Sequence, residues 1–216
     1  YDPIGRGYYN LGDYAGLQAV ITHYSGTLAR DQNSFANTSL AAGPGWTTAT
    51  ALDPAYANPS VCAPGETPLA CEYRLTLPAV ALIMLGSNDV QYFGADTYAA
   101  NLDRITQMTV DAGVIPILST LPPRIGYEGQ VDAFNTVVRE TAARYGVPLW
   151  DYYGVMASLP NSGLSGDGLH PSTSPRGYEG AADFSGDNLA YGYVMRNLTA
   201  LQALDAVWRR VLLAVR

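Results

Sequence analysis

The sequence predicts an α/β fold built on an open parallel sheet. Two continuous apolar runs, residues 79–85 and 114–120, have the length and composition of buried parallel strands. Residues 98–112, between them, have the apolar spacing of a helix, and a second helix and a short third strand follow. Because strands and helices alternate, the sheet is expected to be parallel and covered by helices. In such sheets the functional residues lie on loops at the carboxyl ends of the strands.

The chain before the first apolar run combines one helix with a long irregular region. Residues 12–24 predict a helix, because their apolar side chains recur at helical spacing. Residues 30–60 are rich in Ser, Thr, Asn, Gly and Pro, which predicts a loop, with a short strand near residues 34–36.

Glycines mark the ends of the two central helices. The helix at residues 98–112 is expected to end before Gly113, and the helix at residues 130–145 before Gly146. A third short strand is predicted at residues 147–151.

The last part of the chain is predicted to be a loop followed by a helix. Residues 159–187 are rich in Gly, Ser and Pro, and residues 189–214 form an amphipathic pattern. No internal repeat or linker interrupts the sequence, so a single domain over residues 1–216 is expected.

The composition excludes several classes of protein. Hydrophobic residues make up 48% of the 216 residues, enough for a substantial core, and charged residues only 14%. The net charge is −7, and all twelve cationic side chains are Arg. An acidic chain without a basic stripe is a poor partner for nucleic acid or an anionic membrane surface. No apolar run approaches the roughly 18 residues needed to span a bilayer.

Two cysteines, Cys62 and Cys71, enclose a stretch rich in Pro and Gly. A redox or metal-binding pair is one interpretation, but the spacing is wider than C-x2-C and no His lies nearby. The favoured interpretation is a disulfide that closes a loop, which predicts an oxidising, secreted or extracytoplasmic location. Sequons at Asn37 and Asn197 fit this location.

A polar loop directly follows the first apolar strand. Residues 86–89 read Gly-Ser-Asn-Asp. A side-chain amide fixed at a strand end, here that of Asn88, can donate a hydrogen bond to a developing oxyanion. The alternative is that Asn88 and Asp89 only turn the chain, as such pairs often do.

The second polar loop contains Asp167 and His170, three residues apart on a turn with Gly168 and Pro171. A carboxylate in this position can hold one imidazole nitrogen and leave the other facing outward, as in nucleophile–His–Asp sites. The other histidine, His23, lies on the predicted first helix and is expected to be a packed or half-exposed side chain there. Because one Asp and one His supply too few ligands, no metal site is expected.

Together the two loops resemble those of the SGNH, or GDSL-type, hydrolases. The third sequence block of this family, G-x-N-D, is similar to residues 86–89, and the fifth, D-x-x-H-P, to residues 167–171. Residues 37–43 resemble the second block, although they are one residue longer than the usual form. The resemblance implies a three-layer α/β/α fold with a flavodoxin-like sheet.

The resemblance also implies roles for particular residues. Asp167 and His170 would be two members of a Ser-His-Asp triad, and Asn88 and the amide of Gly43 would stabilise the oxyanion. The expected substrate is a small-molecule or polysaccharide ester, of carbohydrate or lipid type, and no cofactor is expected. Trp46, Tyr8, Tyr9, Tyr92 and Tyr127 either line a groove for a sugar or aromatic acyl group or serve as ordinary surface and core residues.

The chain departs from the family in its nucleophile, because the sequence contains no G-D-S block. Residues 12–14 have Tyr in place of Ser, residues 185–187 read Ser-Gly-Asp, and Ser87 occupies a variable position. Ser25 could be the nucleophile only if residues 20–24 formed a strand, and their spacing is helical. We therefore expect the central first strand and its Ser to lie before Tyr1, so that a segment outside this sequence supplies the strand.

Two alternatives remain open on the sequence. The chain could be a non-catalytic binding or structural protein of the same fold that has lost its nucleophile. Retention of Asp167, His170 and Asn88 argues against a long-standing loss. It could also be an unrelated flavodoxin-like domain whose loops match by chance. That is disfavoured because no glycine-rich phosphate loop follows a strand.

Overall fold

The computed structural model describes residues 1–214 and has an α/β fold, with a parallel sheet flanked by helices. The described chain groups into two compact units. We describe each by itself, and the expected single domain stays a prediction. In chain order, the elements are α1 (Asp2–Gly5), α2 (Gln18–Ser25), β1 (Leu28–Ala29), β2 (Gln32–Asn33), α3 (Thr48–Leu52), α4 (Pro68–Thr76), β3 (Val80–Ile83), α5 (Ala95–Asp111), β4 (Ile115–Ser119), α6 (Glu128–Tyr145), β5 (Leu149–Trp150), α7 (Tyr152–Ala157), α8 (Gly177–Gly180) and α9 (Gly192–Val207).

The sheet has the strand order β3-β4-β5, so β4 is the central strand of the three. β3 and β4 are parallel, and their register pairs Val80 with Ile115 and Ile83 with Leu118. All three strands lie where the sequence predicts them, each one or two residues shorter at either end. The α/β prediction is therefore confirmed.

In the described residues, β3 pairs with β4 along one edge only. Val80, Ala81 and Leu82 are half-buried, whereas β4 is almost completely buried. The order of these strands corresponds to 3-4-5 of a flavodoxin-like sheet, in which strand 1 pairs with the other edge of strand 3. The other edge of β3 has no partner strand within residues 1–214.

The two long helices α5 and α6 pack against each other through stacked aromatic rings. The ring centroids of Tyr98 and Phe134 are 4.1 Å apart, and both side chains are fully buried. α6 ends at Gly146, whose φ of +64° is a left-handed conformation that glycine adopts without strain. Both helices were predicted, and each begins two or three residues earlier than expected. Within residues 1–214, no helix combines the length and apolarity needed to cross a membrane.

The first unit comprises residues 1–37, 122–125 and the described residues from 150 onward. In it, α9 packs against α2 and α7. Trp150 Nε1 donates to Thr199 Oγ1 at 2.9 Å, and Tyr152 Oη donates to the carbonyl of Gly192 at 3.0 Å. These two bonds join the segment after β5 to the terminal helix.

The predicted first and last helices are less regular than expected. Residues 12–17 form a 3₁₀ segment before α2, and residues 208–212 form a π-helical turn after α9. The last helix was predicted to begin at residue 189, but α9 begins at Gly192.

The predictions for residues 30–60 were partly wrong. Residues 34–36 form a turn, and the short antiparallel pair β1–β2 lies before them. This region also contains α3, which starts at a capping box formed by Thr47 and Thr50. α4 was not predicted at all, although Thr67 caps it and Pro68 occupies its first turn. Both helices are too short for apolar periodicity to reveal them.

Cys62 and Cys71 form the predicted disulfide, with their Cα atoms 5.3 Å apart. Beside it, Arg74 Nε donates to Glu66 Oε1 at 2.8 Å. The hydrogen bond from Arg74 lowers the pKa of Glu66 to about 2. The loop between the cysteines is thus closed by a covalent bond and an ion pair.

Candidate active site

Asp167 and His170 form a hydrogen-bonded pair in the first unit. The Nδ1 atom of His170 lies 2.6 Å from Asp167 Oδ2. The other carboxylate oxygen of Asp167 accepts from the backbone N–H groups of Leu169 and His170, at 2.9 and 3.0 Å. One carboxylate therefore fixes both the turn of the chain and the orientation of the imidazole.

The local sequence explains why the turn forms. Gly168 has a φ of +67°, and a Cβ atom there would lie 2.8 Å from Cδ1 of Ile125. Glycine is required on both counts. The N–H of Ile125 donates to the carbonyl of Gly168 at 2.9 Å, and the N–H of Ser165 donates to that of His170 at 2.8 Å. The turn is thus held by backbone bonds on both sides.

The electrostatics of the pair favour an ionised Asp167. The hydrogen bond from His170, supported by the backbone N–H groups of Leu169 and His170, lowers the pKa of Asp167 to about 2. A carboxylate on Nδ1 fixes the imidazole tautomer and leaves Nε2 as a proton acceptor. Nε2 makes no hydrogen bond within residues 1–214, and the side chain is 60% exposed. The pair can therefore act as a general base toward a hydroxyl group placed at Nε2.

In the other unit, the structure brings the segments of Asn88 and Gly43 together through Trp46. Asn88 Nδ2 donates to the carbonyl of Trp46 at 2.9 Å, and the N–H of Trp46 donates to the carbonyl of Gly43 at 3.1 Å. A Cβ atom on Gly43 would lie 2.6 Å from Trp46 Nε1, so this position has no room for a side chain. Because Nδ2 carries two hydrogens, Asn88 keeps a second one for another acceptor.

Asp89 has a role that the sequence did not reveal. Its carboxylate is completely buried and accepts from the backbone N–H and the hydroxyl group of Thr48. Asn101 Nδ2 also donates to Thr48 Oγ1, at 3.0 Å. Burial raises the pKa of Asp89, against the effect of the bonds from Thr48. Asp89 thus ties the loop after β3 to the segment that carries Trp46, instead of only turning the chain.

Gly86 allows the chain to turn after β3 at a position that has no room for a side chain. Its φ is +133°, and a Cβ atom would lie 2.9 Å from side-chain atoms of both Leu121 and Tyr98. Tyr98 Oη donates to the carbonyl of Leu85 at 2.9 Å. The end of β3 and the Gly-Ser-Asn-Asp loop are therefore anchored to α5.

The other residues considered in the sequence lie outside the Asp167–His170 pair and the Asn88 loop. His23 is exposed and stacks on Trp208, with ring centroids 5.1 Å apart. Ser25 is the last residue of α2, so the helical interpretation of its segment is confirmed. Asn197 is buried and its Nδ2 donates to the carbonyl of Ala181, which makes it inaccessible to a glycan.

The aromatic residues considered for a groove belong to different surroundings. Tyr8 and Tyr9 line a pocket of the first unit. In the other unit, Trp46 packs on Gly43, and Tyr92 is 69% exposed.

The model of the GDSL-like lipase/acylhydrolase family matches residues 7–179. The chain belongs to this family. The resemblance seen in the two loops is therefore confirmed, and hydrolase activity in general is supported. A search of curated proteins finds no match.

The chain is similar in fold to solved structures of proteins named as lipases or acylhydrolases. The lipase/acylhydrolase from Enterococcus faecalis is 21% identical with a TM-score of 0.50, over 76% of this chain and 72% of that one. A putative acylhydrolase from Bacteroides fragilis is 20% identical with a TM-score of 0.50, over 64% and 67% of the two chains.

The pairing of Asp167 with His170 predicts a particular titration. In carbon-13 NMR, the carboxyl carbon of Asp167 should titrate with a pKa of about 2. In His170→Ala, the pKa should rise toward the ordinary value of about 3.9, because the largest stabilising interaction of the charged form is lost. It should not rise fully, since the two backbone N–H donors remain. His23→Ala is the control and should leave the titration unchanged. The pairing would be refuted by a wild-type pKa near the ordinary value, or by no rise in His170→Ala.

Proposed function

We propose that this chain is part of a serine ester hydrolase that uses a Ser-His-Asp triad. The observation that carries the proposal is the Asp167–His170 pair with Nε2 of the imidazole exposed. Family membership supports hydrolysis in general. Because hydrolysis through such a triad needs only protein side chains and water, no cofactor is required.

The proposed reaction is a double displacement. The serine hydroxyl attacks the acyl carbon while His170 Nε2 takes its proton, and the imidazolium then gives the proton to the leaving alcohol. Water attacks the acyl-enzyme in the same way, releasing the acid and restoring the serine. Asp167 holds Nδ1–H and stabilises the imidazolium. We propose that the oxyanion accepts hydrogen bonds from the side-chain amide of Asn88 and the backbone N–H of Gly43. Each such donor stabilises the transition state by on the order of 3 kcal/mol.

The nucleophile is proposed to lie on a strand that precedes Tyr1 and pairs with β3. Three observations support this: the open edge of β3, the helical conformation at Ser25, and the absence, within residues 1–214, of a hydroxyl group bonded to His170 Nε2. Carboxyl ends of neighbouring parallel strands meet at one edge of a sheet. A strand paired with β3 would therefore end beside the loop that carries Asn88.

The substrate is proposed to be an ester of carbohydrate or lipid type, and the location secreted or extracytoplasmic. The Cys62–Cys71 disulfide supports this location, because disulfides persist in oxidising compartments.

Replacing His170 is the direct test of the proposed activity. In the full-length natural protein, His170→Ala should lower kcat/KM for p-nitrophenyl acetate and butyrate by at least about 10³-fold. The melting temperature should change little, because the side chain is exposed. His23→Ala is the matched control and should keep wild-type turnover.

Two outcomes would contradict the proposal. Unchanged turnover in His170→Ala would remove His170 from the mechanism. A wild-type protein that hydrolyses no ester would favour the non-catalytic alternative.

The oxyanion role predicts that Asn88→Ala lowers kcat by about 10² to 10³-fold with little change in KM. The reason is that the donor acts mainly on the charge that develops in the transition state. Asn101→Ala is a matched control, since it removes a hydrogen bond to Thr48 in the same unit without removing an oxyanion donor. Its kcat should stay within a few-fold of wild type. Equal losses in both variants would show that Asn88 acts only through folding.

A further inference from the structure

A pocket of about 390 Å³ lies in the first unit and includes neither Asp167 nor His170. This volume falls in the range of small-molecule sites. Its side chains come from two separated parts of the chain, near residues 7–10 and 176–183. The residues that matter for recognition are Tyr8, Tyr9, Asn10, Arg176, Glu179 and Asp183.

The walls of the pocket are fixed to each other before any ligand binds. The N–H of Asn10 donates to the carbonyl of Ala182 at 3.0 Å, and the N–H of Phe184 donates to the carbonyl of Asn10 at 2.7 Å. Asn10 Nδ2 also donates to Asp183 Oδ1 at 2.9 Å. Because the two segments are joined through backbone and side-chain bonds, little ordering would accompany binding.

The pocket presents both donors and acceptors that the described chain does not use. Arg176 donates through Nη1 to Asp183 and Ser185, while its Nη2 and Nε make no hydrogen bond in the described part of the chain. The carboxylate of Glu179 likewise has no hydrogen bond or ion pair with any described residue, and it is exposed. The carboxylate of Asp183 already accepts from Asn10, Arg176 and Ser185.

The charges narrow the class of ligand. Arg176, Glu179 and Asp183 together carry an excess of one negative charge, which disfavours phosphates and carboxylates. An organic cation would find carboxylates and aromatic rings, but it would also face the guanidinium of Arg176. A neutral ligand whose groups both donate and accept hydrogen bonds satisfies Arg176 and Glu179 together, and hydroxyl groups have this property.

The aromatic side chains supply the apolar component of the site. Tyr8 is 49% exposed, and Tyr9 is half-buried with its hydroxyl group in hydrogen-bond contact with Gln18. When a ligand packs on an exposed tyrosine ring, the ring buries a large apolar area while its hydroxyl group stays hydrated. A sugar ring has one apolar face and a rim of hydroxyl groups, so it matches an aromatic ring beside polar groups.

We propose that this pocket is a binding site for a neutral saccharide, separate from the Asp167–His170 pair. Tyr8 packs against the face of the sugar, Glu179 accepts from its hydroxyl groups, and Arg176 donates to them. The proposal is independent of ester hydrolysis and would hold for a non-catalytic protein as well.

The proposal is tested by titrating the full-length protein with neutral saccharides and monitoring binding by two-dimensional NMR and calorimetry. The probes are xylotriose, cellotriose, maltotriose and tri-N-acetylchitotriose. At least one of these neutral probes should bind with a Kd in the millimolar range or below. Tyr8→Ala and Glu179→Ala should each weaken that binding at least fivefold. Tyr92→Ala, which removes a tyrosine that is more exposed than Tyr8 and lies outside the pocket, should leave Kd unchanged. Melting curves of the exposed-site variants should overlay that of the wild type.

The outcomes separate this site from the proposed catalytic one. His170→Ala should bind the saccharide like the wild type even when esterase turnover is lost. The proposal is overturned if none of the four probes binds, or if the Tyr8 and Glu179 variants bind as tightly as the wild type. Binding of tetramethylammonium that depends on Tyr8, without saccharide binding, would overturn it in favour of a cation site.

Discussion

A strand at the edge of a sheet leaves one row of backbone N–H and C=O groups without strand partners, and within the described chain β3 is such a strand. The side chains of Val80, Ala81 and Leu82 are apolar and half-buried, as expected of a strand that packs further when another strand lies beside it. The loop that follows β3 carries Asn88 and Asp89. A strand completing this edge would therefore complete both the sheet and the surroundings of the candidate oxyanion donor.

The Asp167–His170 pair and the Asn88 loop, each in its own unit, are built by different kinds of interaction. The Asp167–His170 pair is local: a carboxylate, a left-handed glycine and an imidazole within four residues determine the geometry. The Asn88 half depends on contacts between distant segments, because the buried Asp89 carboxylate binds Thr48, and Asn88 itself binds the carbonyl of Trp46. A buried carboxylate must have such partners, since leaving it unpaired would cost several kcal/mol.

Local features were therefore predictable from the sequence, and features that depend on distant contacts were not. The strands, α5, α6 and the Asp-x-x-His turn follow from apolar runs, glycine positions and short-range chemistry. α3 and α4 were missed, because helices of five and nine residues show little periodicity and depend on caps such as Thr47 and Thr67. The burial of Asp89 was also missed, because nothing near it in the sequence identifies Thr48 as its partner. The same holds for the Tyr8 pocket, whose walls are more than 160 residues apart.

The origin of the nucleophile is the central claim, and labelling with a fluorophosphonate tests it most directly. The protein would be purified from its natural source, labelled, digested and mapped by mass spectrometry, with the His170→Ala variant of the same full-length protein as control. The account predicts one labelled serine, on a peptide that precedes Tyr1, with labelling strongly reduced in His170→Ala. A label on a serine within residues 1–216, or no label on a protein that hydrolyses esters, would contradict it.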